Sequence, residues 1–269
     1  MESILVTEKL DVGYDKKLIN NIDLVVNEGC TYAILSPNNC GKTSLIKTLA
    51  GVNKKLDGEI FLNGKRLTTR NFKDYILNIG VVFEDYYDLF LCSKVIDELK
   101  YPVIHLSLSY NKIDRRIDYI SEFLEIKNIL DKNIDELTIF EKLKVSIGSA
   151  LIHNPRVLLL DDPFRKLNSK ECIELLKIIN AINNKYKIAV IFTTSDLNNL
   201  TKQENIIVIG DKKVITKSSY DELIKRDNDL IKLGIEIPIM VDLSRKLEFY
   251  KLVDKIYYDL DELVDALWK

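Results

Sequence analysis

Ser36-Pro37-Asn38-Asn39-Cys40-Gly41-Lys42-Thr43 stands between the apolar run Tyr32-Ala33-Ile34-Leu35 and the helix-patterned run Ser44 to Ala50. A strand, a glycine-bearing loop and a helix in immediate succession form a cradle for phosphate. Backbone N–H groups of the loop converge on the anion, and the helix adds the positive end of its dipole. In the pattern GxxxxGK[ST] the lysine reaches the β- and γ-phosphates and the hydroxyl ligates Mg²⁺. Lys42 and Thr43 take those parts here, with Asn38, Asn39, Cys40, Gly41 and Ser44 as the rest of the cradle. Ser36 replaces the first glycine, so a positive φ at that position would carry strain. An ordinary turn before a helix is the competing reading, and the flanking strand and helix patterns both weigh against it.

A second motif supports the first. Val157-Leu158-Leu159-Leu160 reads as a fully buried strand and runs into Asp161-Asp162-Pro163. Asp161 is placed to hold Mg²⁺, directly or through water. Taken alone, two acids after an apolar strand could equally be a plain exit into a loop.

The 269 residues allow one α/β domain with additions or two small domains. Lys and Arg number 39 against 41 Asp and Glu, which leaves no electrostatic footprint of a nucleic-acid binder. Cys30, Cys40, Cys92 and Cys172 are scattered without CxxC spacing, as expected of a reduced, cytosolic chain without structural zinc. The N-terminus MESILVTEKL has neither a basic nor a long apolar region, and no run approaches the roughly 20 residues of a membrane helix.

Along the chain, strand patterns fall at Ile4 to Val6, Ile22 to Val26, Thr31 to Leu35 and Gly58 to Leu62, the last followed by an Asn63-Gly64 turn. From Val95 to Ala150 the apolar spacing turns helical, with Ile117, Ile120, Phe123 and Leu124 on one face. Strands return at Val157 to Leu160, Ile188 to Thr193 and Ile206 to Ile209, with a helix over Lys170 to Asn183. A short strand around Val214, a helix near Tyr220 to Lys225 and a tail from Asn228 complete the pattern. Asn111-Lys112-Ile113-Asp114 spells a guanine-reading motif, but its order relative to Asp161 is wrong, and a helix start at Asp114 accounts for it better. His105 and His153 stand alone and read as structural or surface residues, and Lys251 to Glu262 reads as a solvated helix face.

With these motifs in this order, the chain resembles the ATP-binding subunits of ABC transporters over nearly its whole length. The resemblance implies a P-loop NTPase: a RecA-like α/β core with an N-terminal antiparallel β subdomain, an inserted helical subdomain over about 91–150, and a nucleotide-binding domain spanning 1–225. Residues 226–269 would form a small C-terminal extension, for which dimerisation is one role. ATP and Mg²⁺ are the implied cofactors. Tyr14 matches the aromatic that stacks on adenine, a task suited to a flat π-face, although a tyrosine beside Gly13 also suits a plain turn. Asn39 stands where the family has a further glycine, and asparagine tolerates the left-handed region better than most residues. Val81-Val82-Phe83-Glu84 occupies the strand that ends in the family's Mg²⁺-sensing glutamine, making Glu84 a charged metal ligand. Asp135 to Glu141 takes the place of the signature LSGGQ, and Ile191 to Asp196 that of the switch-histidine segment.

The departures fall on the family's hydrolytic residues. Asp162 replaces the catalytic glutamate with a carboxylate one methylene shorter, and a displacement of about 1 Å can cost about 100-fold in rate. Ser195 replaces the histidine and can neither reach as far nor carry its charge. Ile139 and Phe140 replace the paired glycines that let a helix end approach the partner's γ-phosphate. Asn168 replaces an aspartate at the dimer seam. Hydrolysis at this chain's own loop is therefore expected to be slow, and the site it would donate to a partner is weakened as well.

The tail Leu230 to Leu247, ending Asp261-Glu262-Leu263-Val264, resembles that of energy-coupling-factor ATPases, although Asp261 to Lys269 also reads as an amphipathic terminal helix of any such subunit. The resemblance implies a paired ABC ATPase, a membrane-spanning transporter subunit, no nucleic acid, and a position on the inner face of the membrane. Its function would be micronutrient import, the alternative being an inactive ATP-binding partner of an active ATPase. A soluble role in translation or repair fits less well, because such proteins carry tandem cassettes or a coiled-coil insertion.

Overall fold

The computed structural model describes residues 2–106, 108–200, 203–258 and 260–268, apart from the side chain of Asp227. The chain opens with an antiparallel hairpin, β1 (Ser3–Gly13) and β2 (Lys17–Asn27). Both strands are longer than the apolar runs 4–6 and 22–26 suggest. Lys9 and Asn21 adopt positive φ and the register shifts along the pair, which breaks the alternation by which a strand is read. Then follow β3 (Thr31–Leu35), α1 (Lys42–Leu49), β4 (Asp57–Leu62) and β5 (Lys65–Arg66). Asn63 and Gly64 join the last two with φ of 51° and 69°, as a two-residue hairpin requires.

After α2 (Phe72–Ile76) comes β6 (Ile79–Val82), which ends two residues before Glu84 rather than at it. The helical block contains α3 (Val95–Lys100), α4 (Tyr110–Phe123) and α5 (Ile139–Leu151). Helix α4 starts at Tyr110 with Ser109 as its cap position, so Asn111 and Lys112 lie in its first turn and the start expected at Asp114 is four residues late. The core resumes with β7 (Val157–Leu160), α6 (Ser169–Tyr186), β8 (Ala189–Thr194), β9 (Ile206–Gly210) and β10 (Lys213–Ser218). Four short helices close the chain: α7 (Tyr220–Ile224), α8 (Asp227–Lys232), α9 (Ile239–Phe249) and α10 (Leu260–Leu267). Residues 251–258 are turns and bends, not the helix face expected there, and Lys269 lies outside the described residues.

Two sheets result. One is antiparallel in the order β2-β1-β4-β5; the other runs β10-β9-β3-β8-β7-β6, parallel except for β10 at its edge. Every residue of β7 and β8 is buried, as the central strands of a sheet covered on both faces must be. Strand β3 divides its side chains between two cores by the two-residue repeat of a strand. Ala33 and Leu35 join the helices, including Leu230, Ile235 and Val241 of the tail, while Tyr32 and Ile34 face the antiparallel sheet. Each fully buried leucine here contributes about 1.5–3 kcal/mol. The parallel strands therefore deliver their C-terminal ends to one edge of a rigid sheet, where ligands of such folds bind.

Candidate nucleotide site

At that edge Ser36 continues β3, its N–H donating to Thr194 O at 3.2 Å. Ser36 does not take a positive φ, so the strain expected of it does not arise. The left-handed residues of the loop are Asn39 (φ 62°) and Gly41 (φ 94°). A Cβ on Gly41 would lie 3.1 Å from Leu18 Cβ, which makes glycine necessary twice over. Helix α1 begins there with no capping side chain and no acid in its first turn. Its orphan N–H groups and dipole are left for an anion. Lys42 is buried, and its ammonium donates to Ser36 O at 2.9 Å and Pro37 O at 3.1 Å. Burial lowers its pKa, opposed by Asp162 above all.

Asp161 leaves β7 just 1% exposed. Thr193 Oγ1 donates to its Oδ1 at 3.0 Å, while Oδ2 is buried without a hydrogen-bond partner. The same Thr193 oxygen accepts the N–H of Asp162 at 2.8 Å, and Asp162 is held at φ 45°. Burial raises the pKa of both carboxyls, offset at Asp161 first by the Thr43 and Thr193 hydroxyls and at Asp162 by Lys42. An unpartnered carboxylate oxygen beside the Thr43 hydroxyl is a donor set that fits Mg²⁺.

A cavity of about 540 Å³ gathers Asn38, Asn39, Gly41, Lys42, Thr43, Ser44, Glu84 and Asp162. Asp161 is not in this lining but is buried close by, with Thr43 and Lys42 both acting on its carboxyl. Ser195 stands apart, in an adjoining cavity of about 720 Å³ that shares Asn38, Asp162 and Arg165 with the first. Cys40 is half-buried and lines neither. Tyr14 sits in the turn between β1 and β2, 58% exposed, with Asn53 and then Ser44 beside its phenol holding the pKa below its ordinary value.

Two residues of the site escape the sequence reading. Thr193, which joins the two aspartates, shows only as a hydroxyl closing an apolar strand. Arg165 forms an ion pair with Glu84 and lines the phosphate cavity, with nothing in the motifs to flag it.

The signature segment is elsewhere, at the start of α5. Thr138 Oγ1 accepts the N–H of Glu141 at 3.2 Å, and Glu141 Oε2 accepts the N–H of Thr138 at 2.8 Å, a closed capping box. Phe140 is turned into the core. Asn168, in place of aspartate, caps α6 by accepting the N–H groups of Lys170 and Glu171 at 3.0 and 3.1 Å.

The ABC transporter family model matches residues 19–165, more than half of the chain. The energy-coupling factor transporter ATP-binding protein EcfA1 of Streptococcus pyogenes serotype M5 is 25% identical over 92% of this chain and 90% of its own length. EcfA of Streptococcus pyogenes matches to the same extent, 25% over 92% and 90%. The structure of cbiO1 from Clostridium perfringens, described as part of the ABC transporter complex cbiONQ, superposes with a TM-score of 0.78 at 23% identity, covering 88% of this chain and 97% of that one. The loop from Ser36 to Thr43 and the buried Asp161 both fall within the matched residues, and the chain belongs to the ABC transporter family, with similarity to the energy-coupling-factor ATPases.

Proposed function

We propose that this chain is the ATP-binding subunit of an importer of the energy-coupling-factor type, working head-to-tail with a second ABC ATPase, and that it holds Mg·ATP better than it cleaves it. One observation carries this reading: α1 begins with no capping side chain, beside Lys42 and near the unpartnered Asp161 oxygen, whereas at the start of α5 the N–H groups of Thr138 and Glu141 are taken by each other's side chains. ATP binding would close the pair, and its hydrolysis, at whichever site is competent, would reopen it. In this chain Lys42 neutralises phosphate, Thr43, Asp161 and Glu84 serve the metal, and Tyr14 offers its ring to adenine. Asp162 and Ser195 stand in the hydrolytic positions, the first short of reach and the second without an imidazole.

A membrane-spanning partner is supported by a groove of about 280 Å³ between β6 and the helical block, lined by Val81, Phe83, Tyr86, Leu89 and Phe90 among others. Leu89, Leu91 and Ile104 are exposed nearby. Among the described residues no helix is long and apolar enough to cross a membrane, and the reading puts the chain on the cytoplasmic face through that partner. The cargo is a micronutrient by analogy with the relatives' branch. The self-capped α5 also favours a second reading, an inactive ATP-binding partner that stabilises an active ATPase.

The test is Mg·ATP affinity and turnover of the purified chain, alone and mixed with its paired ATPase. Binding in the micromolar range with little turnover alone is expected. Lys42→Ala should lose about 100-fold in affinity, and Asp162→Glu should raise turnover. Rapid hydrolysis by the isolated chain, abolished in Lys42→Ala, would overturn the claim of weak catalysis.

A further inference from the structure

Glu84 brings a carboxylate to the mouth of the phosphate cavity, with Asp162 on its wall and Asp161 buried close by. Against these acids the loop and α1 bring only the Lys42 ammonium to the cavity lining, with Lys47 acting on Asp161 from outside it, so an entering polyanion would meet acids in excess there. The second cation comes from the loop after β7. Arg165 pairs with Glu84, lines the same cavity, and adds its charge to the influences on the Lys42 ammonium. The next residue repeats the attachment: the Lys166 ammonium sits 3.3 Å from the centroid of the Tyr87 ring. Two successive cations thus clasp residues 84–87 to the loop after β7. The Glu84 side chain is 23% exposed and that of Arg165 63%, so the carboxylate is the more shielded partner. Stripped of its cation it would be a poorly solvated charge facing phosphate.

We propose that Arg165 is a positioning residue for the nucleotide: it neutralises and orients Glu84, so that the pair meets the triphosphate as one uncharged unit. The pair then does the work of the neutral glutamine that the family has at this position. This inference rests on the nucleotide-binding reading above, and it assigns Arg165 a role exercised through Glu84 and not by touching phosphate.

Isothermal titration with Mg·ATP on the wild-type chain, Arg165→Met, Glu84→Gln and the double variant separates the two roles. Arg165→Met should weaken binding about tenfold, or about 1.4 kcal/mol. Whatever Glu84→Gln does by itself, adding Arg165→Met to it should change affinity by no more than about threefold further, because the charge that Arg165 offsets is gone. Arg165→Lys, which keeps the charge, should hold near-wild-type affinity even if the methionine variant folds poorly. An equal loss in both Glu84 backgrounds, the mark of a direct phosphate contact, overturns the proposal, as does no loss in Arg165→Met or a tenfold loss in Arg165→Lys. A wild-type chain that takes up no Mg·ATP overturns the nucleotide reading and this inference with it, whereas uncoupled losses overturn this inference alone.

Discussion

Helix α1 begins at a left-handed Gly41 with nothing on its free N–H groups, whereas α5 begins at Thr138, with Glu141 and Thr138 closing each other's backbone donors. Both helix ends carry roughly half a positive charge by virtue of the backbone alone. What differs is the first turn. In α1 it is Lys42, Thr43 and Ser44, which add a cation and hydroxyls; in α5 it is Ile139, Phe140 and Glu141, which add bulk and a carboxylate. This chain thus leaves the start of α1 without a capping side chain and closes two of the N–H groups at the start of α5 with a capping box.

The contrast can be broken experimentally, most forcefully at Phe140. It is 7% exposed, sits in the larger core, and has the Lys144 ammonium 4.7 Å from its ring centroid. Phe140→Ala should cost about 3–5 kcal/mol in urea unfolding while leaving Mg·ATP affinity of the folded chain unchanged. A cost under about 1 kcal/mol would mean that the bulk at α5 is not structural. At the open end, Gly41→Ala forces a Cβ into a left-handed residue against Leu18 and Ile19. It should lose about 2 kcal/mol of stability and weaken nucleotide binding as well, so a change in unfolding without a change in titration would separate the loop from the ligand. The smallest effect belongs to the seal. Thr138→Ala should cost about 1 kcal/mol in thermal or chemical unfolding with no change in binding at α1; a neutral result would show that the α5 end is not closed by its own side chain.

The parallel core is legible in the sequence because its strands are continuous apolar runs that end where the sheet ends. Thr31–Leu35 and Val157–Leu160 stand at the positions their hydrophobicity marks, β8 is displaced by one residue, and β9 begins as expected and runs one residue longer. The antiparallel hairpin reads poorly because residues such as Lys9 and Asn21 interrupt its alternation with bulges. The tail reads poorly because α8 and α9 are short and half-exposed, with few residues such as Leu230 and Val241 reaching the core. At the site, the motifs name the groups expected to meet a ligand but not those that hold them. Thr193 and Arg165 act through partners distant in sequence, Asp161 and Glu84, and no local pattern encodes such a pairing. Asn168 shows the reverse case: it reads as the loss of a charge, and in the structure it is a working helix cap.

With Asp161 holding the metal as proposed, the Thr193 hydroxyl would bear on ion choice. By donating to Oδ1 of Asp161 it leaves Oδ2 as the carboxylate oxygen without a hydrogen bond. Calcium favours crowded, two-pronged carboxylate grips of seven or so oxygens, while magnesium accepts one-pronged ligands and keeps much of its octahedral water shell. If Asp161 holds the metal, the threonine at the end of β8 would favour a one-pronged grip, the kind the smaller ion accepts.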